Sequence, residues 1–182
     1  MSLRVLFLHG LEGSPTGNKA QRLRAMPGVE VVAPALPTEA VRAFREAHGP
    51  GVPVPPEATA PALEVARRAV RDGAPQVVVG SSFGGGVAVW LAVKDHWTGP
   101  LVLLAPAGAR LFGLAHLPPR PGRVVVLHGR GDEVVPMGDS VRLAESSRCD
   151  VALWLVDDGH PLAVSVASGL LDEAVRFAAA GR

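Results

Sequence analysis

The 182-residue chain has few of the features that bind polyanions or cross membranes. It contains a single cysteine, Cys149, which excludes an internal disulfide and fits a reducing compartment. Its formal net charge is only +1 and its arginines are scattered, so no basic block exists to follow a nucleic-acid backbone. No apolar run approaches the roughly 20 residues that span a bilayer, and the start lacks the long apolar stretch of a signal peptide. We therefore expect a cytoplasmic protein without membrane or nucleic-acid partners.

The rest of the composition is that of a compact globular domain. Apolar residues make up 48% of the chain and charged residues only 19%, which excludes a disordered protein. A chain of this length folds as one domain with a core of its own. A single domain covering residues 1–182 is therefore predicted.

Short apolar runs alternate with longer segments of helical period along most of the chain. The runs are rich in Val and Leu and mostly lack in/out alternation, which is typical of strands buried on both faces of a parallel sheet. The predicted strands are Arg4–His9, Val29–Ala35, Gln76–Ser81, Pro100–Pro106, Arg123–His128 and Val151–Val156. The predicted helices cover about Asn18–Met26, Glu57–Asp72, Ser82–Lys94, Met137–Ser146 and Ala163–Ala179. This alternation predicts a mostly parallel sheet with helices on both faces.

Two stretches break this alternation and are predicted to be loops. Gly49–Pro61 is rich in proline, which cannot donate a hydrogen bond to a strand ladder. Ala107–Gly122 has room for at most a short helix before the next strand. Long ordered loops in a compact enzyme often border the active site, so both stretches are candidates for that position.

The residues at positions 80–84, Gly-Ser-Ser-Phe-Gly, form the most informative motif. A valine run precedes them and a helical pattern follows. In Gly-x-Ser-x-Gly the central serine occupies a strained turn that exposes its hydroxyl, and the flanking glycines avoid crowding the neighbouring chain. Ser82 is therefore the candidate nucleophile. Ser81 competes with it but lacks the glycine spacing, and the alternative for the whole motif is a glycine-rich turn that only shapes a ligand cleft.

A serine hydroxyl needs a base within reach, and the base needs an acid to orient it. In the chain order Ser, acid, His, the acid follows a later strand and the histidine comes last. Asp132 comes after the fifth predicted strand, and His160 comes after the sixth. Both are expected at the carboxyl edge of the sheet, where open α/β sheets place their sites. Glu133 is the alternative acid.

Acyl transfer also needs hydrogen-bond donors aimed at the oxygen of its tetrahedral intermediate. The candidates are the backbone N–H of Phe83, which follows the nucleophile, and that of Leu11, in the loop after the first strand. Gly10 lets this loop turn sharply, and His9 is predicted to brace it rather than to act as a base. His128 is predicted to hold the acid loop in the same way.

Neither a cofactor nor a metal is indicated by the sequence. A phosphate loop needs Gly-Lys-Ser/Thr, which does not follow the turn, and no dinucleotide fingerprint follows the first strand. The remaining histidines, His48, His96 and His116, have no metal-ligand spacing to one another or to Cys149. Of these three, His116 is a candidate for the border of a pocket.

Four pieces of the chain, in the same order, resemble the α/β-hydrolase superfamily. They are Leu-His-Gly at positions 8–10, the turn at 80–84, the segment 128–136 around Asp132, and Gly-His at 159–160. The likeness is to small bacterial-type esterases whose first strand ends in His-Gly before a Ser-Pro loop, here Ser14-Pro15. It implies a three-layer α/β/α sandwich of about six parallel strands in the order 2-1-3-4-5-6. Because only Ala107–Gly122 is left where a cap would stand, little or no cap is expected.

The resemblance implies a carboxylesterase-like serine hydrolase that cleaves a small soluble ester through an acyl-enzyme. Its partner would be a small-molecule acyl substrate. The expected substrate-binding residues are Leu111, Phe112 and Leu162, together with Leu11 and Phe83. A thioesterase or an amidase with the same triad is the alternative enzyme. A binding protein on an inert hydrolase scaffold is the alternative from a different class.

Overall fold

The computed structural model of the chain describes residues 2–50 and 52–181. Its centre is a sheet whose strands are β1 (Leu3–Leu8), β2 (Val29–Val32), β3 (Val77–Ser81), β4 (Leu101–Leu104), β5 (Val124–Gly129) and β6 (Val151–Val156). Every neighbouring pair is parallel, and the order across the sheet is β2-β1-β3-β4-β5-β6. The predicted strand order is therefore confirmed.

Helices connect the strands and cover both faces of the sheet. They are α1 (Asn18–Ala25), α2 (Glu39–His48), α3 (Pro56–Gly73), α4 (Phe83–Lys94), α5 (Gly108–Phe112), α6 (Met137–Ser146), α7 (Ala163–Ala167) and α8 (Leu170–Ala180). Within residues 2–50 and 52–181, no helix combines the length and apolar character needed to cross a bilayer.

Successive strand residues point into two separate cores, which explains the missing in/out alternation. In β1, Leu6 and Leu8 belong to a core packed under α2 to α6, whereas Val5 and Phe7 belong to a core packed under α1, α7 and α8. The central strands β3, β4 and β5 are buried along their whole length. The predicted three-layer α/β/α sandwich is therefore confirmed.

Helix α2 is missing from the sequence prediction. Its only fully buried residue is Val41, so its apolar stripe is short. Phe44 stacks on His48 with the ring centroids 4.3 Å apart, and Gly49 ends the helix with a positive φ of 76°. Thr38 before the helix and Gly49 after it are ordinary boundary signals that, with Val41 and Phe44 three apart, could have revealed it.

Several predicted boundaries are also wrong, and β2, for example, ends three residues before its predicted end. The proline-rich loop ends at Pro55 instead of Pro61, because Pro56 occupies the first position of α3, where a helix does not use its N–H. The predicted last helix is two helices, since Gly169 adopts a φ of +90° between α7 and α8. The prediction of a single last helix overlooked that a glycine inside a helical pattern often ends the helix.

The parallel register brings the ends of five strands to one edge of the sheet. Leu8 pairs with Gly80, Leu104 pairs with both Ser81 and Leu127, and β5 and β6 end opposite each other. The loops after β1, β3, β5 and β6 consequently meet at this edge. They carry Leu11, Ser82, Asp132 and His160, respectively.

Candidate active site

Ser82 occupies a strained turn between β3 and α4. Its backbone has φ 52° and ψ −110°, a region that residues other than glycine seldom adopt. Three hydrogen bonds hold it there. Its N–H donates to Leu104 O at 2.8 Å, and its carbonyl accepts from Gly86 N and Ala107 N at 3.0 Å each. The serine side chain is thereby directed away from the sheet at the start of a helix.

The flanking glycines are required by close backbone contacts, as the motif predicts. A Cβ on Gly80 would lie 2.8 Å from the Cα of Gly85. A Cβ on Gly84 would lie 2.7 Å from the carbonyl oxygen of His9 and still closer to Leu8. Both separations are shorter than real Cβ contacts, so the turn tolerates no side chain at either position.

Three predicted side chains form a hydrogen-bonded row at the sheet edge. The Oγ of Ser82 lies 3.0 Å from Nε2 of His160, and Nδ1 of His160 lies 2.7 Å from Oδ2 of Asp132. The side chain of His160 is 21% exposed, whereas that of Asp132 is completely buried. The serine hydroxyl therefore has an imidazole nitrogen within reach, and that imidazole has a carboxylate behind it.

The Asp132 carboxylate is saturated with donors. Its Oδ1 accepts the backbone N–H groups of Val134 and Val135 at 2.8 Å each, and Oδ2 lies 3.3 Å from Nε2 of His128 in addition to its bond with His160. Burial raises the pKa of Asp132, but the hydrogen bonds from His160, Val135 and Val134 outweigh it, so that pKa lies below its ordinary value. An ionised carboxylate can only accept hydrogen bonds, so Nδ1 of His160 carries the proton that it donates to Asp132. Nε2 of His160 is then free to accept a hydrogen bond from the Ser82 hydroxyl.

His128 holds the loop that carries Asp132, in the position predicted for it. Its Nε2–H donates to Val135 O at 3.0 Å, so Nδ1 accepts the hydroxyl proton of Ser140 at 2.7 Å. Burial lowers the pKa of His128 more than the Val135 carbonyl and the Asp132 carboxylate raise it. The ring is therefore a neutral brace with a fixed tautomer.

His9 likewise ties the loop after β1 to the rest of the molecule. Its Nε2 accepts the backbone N–H of Leu36 at 2.9 Å, and Nδ1–H donates to Gly10 O at 2.8 Å. Gly10 lies directly against the nucleophile, since a Cβ on it would be 3.3 Å from Cβ of Ser82. The backbone that leads to Leu11 is thus fixed beside Ser82.

Asp158 anchors the loop that carries His160. Its Oδ2 accepts the N–H and the hydroxyl of Ser165 at 2.8 and 2.9 Å, and Oδ1 accepts the N–H of Gly159 at 2.8 Å. Burial raises the pKa of Asp158, but these hydrogen bonds outweigh it and the pKa lies below its usual value. Lys19 adds a hydrogen bond from Nζ to Pro161 O at 2.6 Å. Asp158 and Lys19 therefore hold the loop, and through it the imidazole of His160, in place.

A cavity of about 240 Å³ opens beside the serine hydroxyl. It is lined by Leu11, Arg45, Pro50, Ser82, Phe83, Ala107, Arg110, Leu111, Val134 and Val135. The sequence did not single out Arg45, Pro50, Arg110, Val134 or Val135. Arg45 stands on the unpredicted helix α2. Pro50 and Arg110 lie in the two stretches predicted to border the site, and Val134 and Val135 lie in the segment 128–136, but none of them was predicted as a pocket residue.

Two of the expected pocket residues do not line this cavity. Leu162 is fully buried in the core under α1, α7 and α8, on the opposite face of the sheet from Leu111. It anchors the His160 loop instead, with a φ of 53° before α7. Phe112 faces the interior, where its ring lies 3.2 Å from a Cβ placed on Gly86. Neighbouring positions on the short helix α5 point in different directions, so Leu111 reaches the cavity and Phe112 does not.

The competing candidates lie outside the hydrogen-bonded row. Ser81 is the last residue of β3 and is buried, and Glu133 is exposed with no hydrogen bond to His160. His116 is exposed and does not border the cavity. Among the residues that the structure describes, no three His, Cys, Asp or Glu side chains lie close enough together to hold a metal ion.

The sheet order and the position of the strained serine turn define an α/β-hydrolase fold, and solved structures agree. A protein from Agrobacterium vitis S4 classed as a hydrolase is 21% identical, with a TM-score of 0.71 over 97% of this chain and 87% of that one. A member of the α/β superfamily from Xanthomonas campestris pv. campestris is 23% identical, with a TM-score of 0.63 over 96% and 98%. A metagenome-derived lipolytic enzyme, from the pair LipS and LipT, is 16% identical, with a TM-score of 0.70 over 96% and 92%.

These similarities are similarities of fold. No family model matches the sequence, and no curated protein matches it. The resemblance inferred from the four sequence pieces is thus confirmed as a likeness to members of the α/β-hydrolase superfamily.

Proposed function

We propose that this chain is a serine hydrolase that cleaves small carboxylic esters through an acyl-enzyme. The observation that carries the proposal is the row Ser82 Oγ–His160 Nε2–Asp132, with separations of 3.0 and 2.7 Å. A serine on a strained turn, a base within hydrogen-bond reach and a buried acid behind the base are the parts that nucleophilic acyl transfer needs.

In the first half-reaction, Ser82 Oγ attacks the acyl carbon while its proton passes to Nε2 of His160. The ionised Asp132 stabilises the imidazolium that forms and keeps its ring in place. The bond between the acyl carbon and the leaving oxygen then breaks, and His160 returns its proton to that oxygen. The products of this half-reaction are an alcohol and acylated Ser82.

Backbone amides at the start of α4 and after β1 supply the stabilisation of the oxyanion in this proposal. Phe83 is the first residue of α4, so its N–H has no acceptor within the helix, and the helix dipole favours negative charge there. The fixed loop through Gly10, which lies against Ser82, leads to Leu11, and Leu11 lines the same cavity. Loss of one such donor from an enzyme typically costs about 10²–10³ in kcat.

In the second half-reaction, water enters the position of the departed alcohol. His160 accepts a proton from this water, the oxygen attacks the acyl carbon, and Ser82 Oγ leaves with the proton from His160. The 240 Å³ cavity limits what can be accommodated. It lies below the roughly 300–1,000 Å³ of drug-sized pockets, which favours a short acyl or alcohol group. The lipolytic activity of one structural neighbour is consistent with an ester substrate.

The test is hydrolysis of p-nitrophenyl acetate and butyrate by wild type and by two matched serine variants. Ser82→Ala should lower kcat by at least roughly 10⁴-fold, since the nucleophile is lost. Ser81→Ala removes the adjacent hydroxyl, which is outside the row, and should keep activity within a few-fold. Full activity of Ser82→Ala, or equal losses in both variants, would disprove the assignment. Parallel thioester and anilide substrates then establish the preferred leaving group.

A further inference from the structure

The cavity beside Ser82 contains two arginines in an otherwise largely apolar wall. Arg45 comes from α2 and Arg110 from α5, whereas the apolar lining near the serine includes Leu11, Phe83 and Leu111. An ester with unsubstituted alkyl groups needs no cation in this position. Guanidinium groups in a binding cavity are the usual partners of carboxylate and phosphate groups.

The two arginines are adjacent to each other. Nη2 of Arg45 donates to the backbone carbonyl of Arg110 at 3.3 Å. Burial, and then the positive charge of Arg110, lower the pKa of Arg45. Two like charges on one small cavity raise the electrostatic potential inside it, and an anion placed there would relieve their repulsion.

Protein carboxylates compensate these charges only partly. Arg45 bonds to the backbone carbonyls of Gly49, Pro50 and Val52, and no carboxylate lies within 4.0 Å of its guanidinium among residues 2–50 and 52–181. Arg110 lies 3.3 Å from Asp139, which Arg142 also contacts at 2.8 Å. Asp139 therefore serves two arginines, and Arg45 has only neutral acceptors.

The Asp132 carboxylate does not neutralise the arginines either. Asp132 lies behind His160, its side chain is fully buried, and both of its oxygens already accept hydrogen bonds. Its charge is matched to the imidazolium that forms during the reaction. The cavity wall therefore keeps a net positive charge that the substrate can use.

We propose that the substrate carries a carboxylate or a similar anionic group on the part that occupies this cavity, where Arg45 and Arg110 bind it. This proposal rests on the proposed ester hydrolysis and narrows its substrate class to acidic esters, such as half-esters of dicarboxylic acids or esters of hydroxy acids. The apolar wall would contact the carbon chain between the ester and the acidic group.

The experiment compares each acidic ester with its uncharged isostere, which replaces the carboxylate by a carboxamide. Ethyl hydrogen glutarate against ethyl glutaramate tests an acid on the acyl side. Acetylated 4-hydroxybutanoate against its amide tests an acid on the alcohol side. Acid release in a pH-stat gives kcat/KM for all four. In one of the pairs, wild type should favour the carboxylate by at least tenfold, which is about 1.4 kcal/mol.

Three arginine variants assign the preference to the cavity. Arg110→Gln should bring the acid-to-amide ratio of kcat/KM close to one. Arg45→Gln should act in the same direction, but it also releases the carbonyls of the loop after α2, so its thermal unfolding is measured alongside. Arg68→Gln is the control. It removes the same charge from an exposed position paired with Glu64 and should preserve the ratio.

Binding separates this proposal from the proposed function. Ethyl hydrogen glutarate and ethyl glutaramate are titrated calorimetrically into Ser82→Ala, with and without Arg110→Gln. Tighter binding of ethyl hydrogen glutarate that disappears with Arg110→Gln supports an anion site even if no ester is hydrolysed. Ratios at or below one in both substrate pairs, with equal binding of the acidic and the uncharged ester, would overturn the anion site and leave ester hydrolysis standing. An acid-to-amide ratio that both Arg110→Gln and Arg45→Gln leave unchanged would also overturn the anion site.

Discussion

Gly129 provides a sharp test of how the base is positioned, because it is not one of the three residues of the hydrogen-bonded row. It is the last residue of β5, and the loop carrying His160 passes directly over it. A Cβ on Gly129 would lie 2.8 Å from the carbonyl carbon of Asp158 and 2.9 Å from the carbonyl oxygen of Gly159, with the Asp158 oxygen nearer still. All three atoms are backbone, so no side chain can rotate to make room.

The size of the effect of Gly129→Ala follows from these contacts. Ordinary carbon contacts lie at about 3.5–4.0 Å, so the loop through Asp158 and Gly159 must retreat by about 1 Å. The bonds of His160 to Asp132 and to Ser82 are only 2.7 and 3.0 Å long and would both lengthen. A misplacement of this size costs about 10²-fold in rate, and the overpacking costs about 1–3 kcal/mol of stability.

The assay is kcat on p-nitrophenyl butyrate together with the free energy of unfolding from urea titration. Gly138→Ala, nine residues away, is the matched control, because a Cβ on that exposed residue of α6 meets nothing within 4 Å. It should keep full activity and gain up to about 1 kcal/mol of stability from the better helix propensity. Full activity of a folded Gly129→Ala variant would refute the claim that this backbone contact sets the position of His160.

Four further variants test other parts of the structure. Asp158→Asn should be less stable than wild type by about 1 kcal/mol at pH 7. Because the folded pKa of Asp158 is lowered, this difference should persist above the unfolded pKa of about 3.9 and vanish as the pH falls through the folded pKa; a difference that does not change with pH in urea titrations would contradict it. Leu103→Ala, in the fully buried centre of β4, should cost about 2–5 kcal/mol in the same measurement, and a loss below 1 kcal/mol would be inconsistent with a packed core. Leu111→Ala should shift the preference among p-nitrophenyl esters toward longer acyl chains by about tenfold, whereas Phe112→Ala should lower stability without that shift; the reverse pattern would show that the lining of the cavity is misassigned.

The fold and the hydrogen-bonded row were predictable because each depends on local signals repeated in a fixed order. Strands buried on both faces produce continuous apolar runs, and a parallel sheet brings their carboxyl ends to one edge. Ser82, Asp132 and His160 each follow such a run, so chain order alone placed them together. The central strands, buried between two helical layers, left little freedom for another arrangement.

The walls of the cavity were not predictable in the same way. Arg45 and Arg110 stand 65 residues apart on short helices, and only the packing of α2 against the rest of the molecule brings them together. Leu162 was misplaced because apolar character indicates burial without indicating which face of the sheet receives the side chain. Its positive φ turns it away from the cavity toward the opposite core, and a residue other than glycine gives no sign of such a conformation.

The most direct test of the account is the site and rate of labelling by a fluorophosphonate, read by mass spectrometry of the modified peptide. The account predicts one adduct, on Ser82, absent from Ser82→Ala and formed at least about 100-fold more slowly by His160→Ala because the general base is missing. Ser81→Ala should be labelled like wild type. No adduct, an adduct on Ser81, or a labelling rate that His160→Ala leaves unchanged would contradict the claim that His160 activates Ser82.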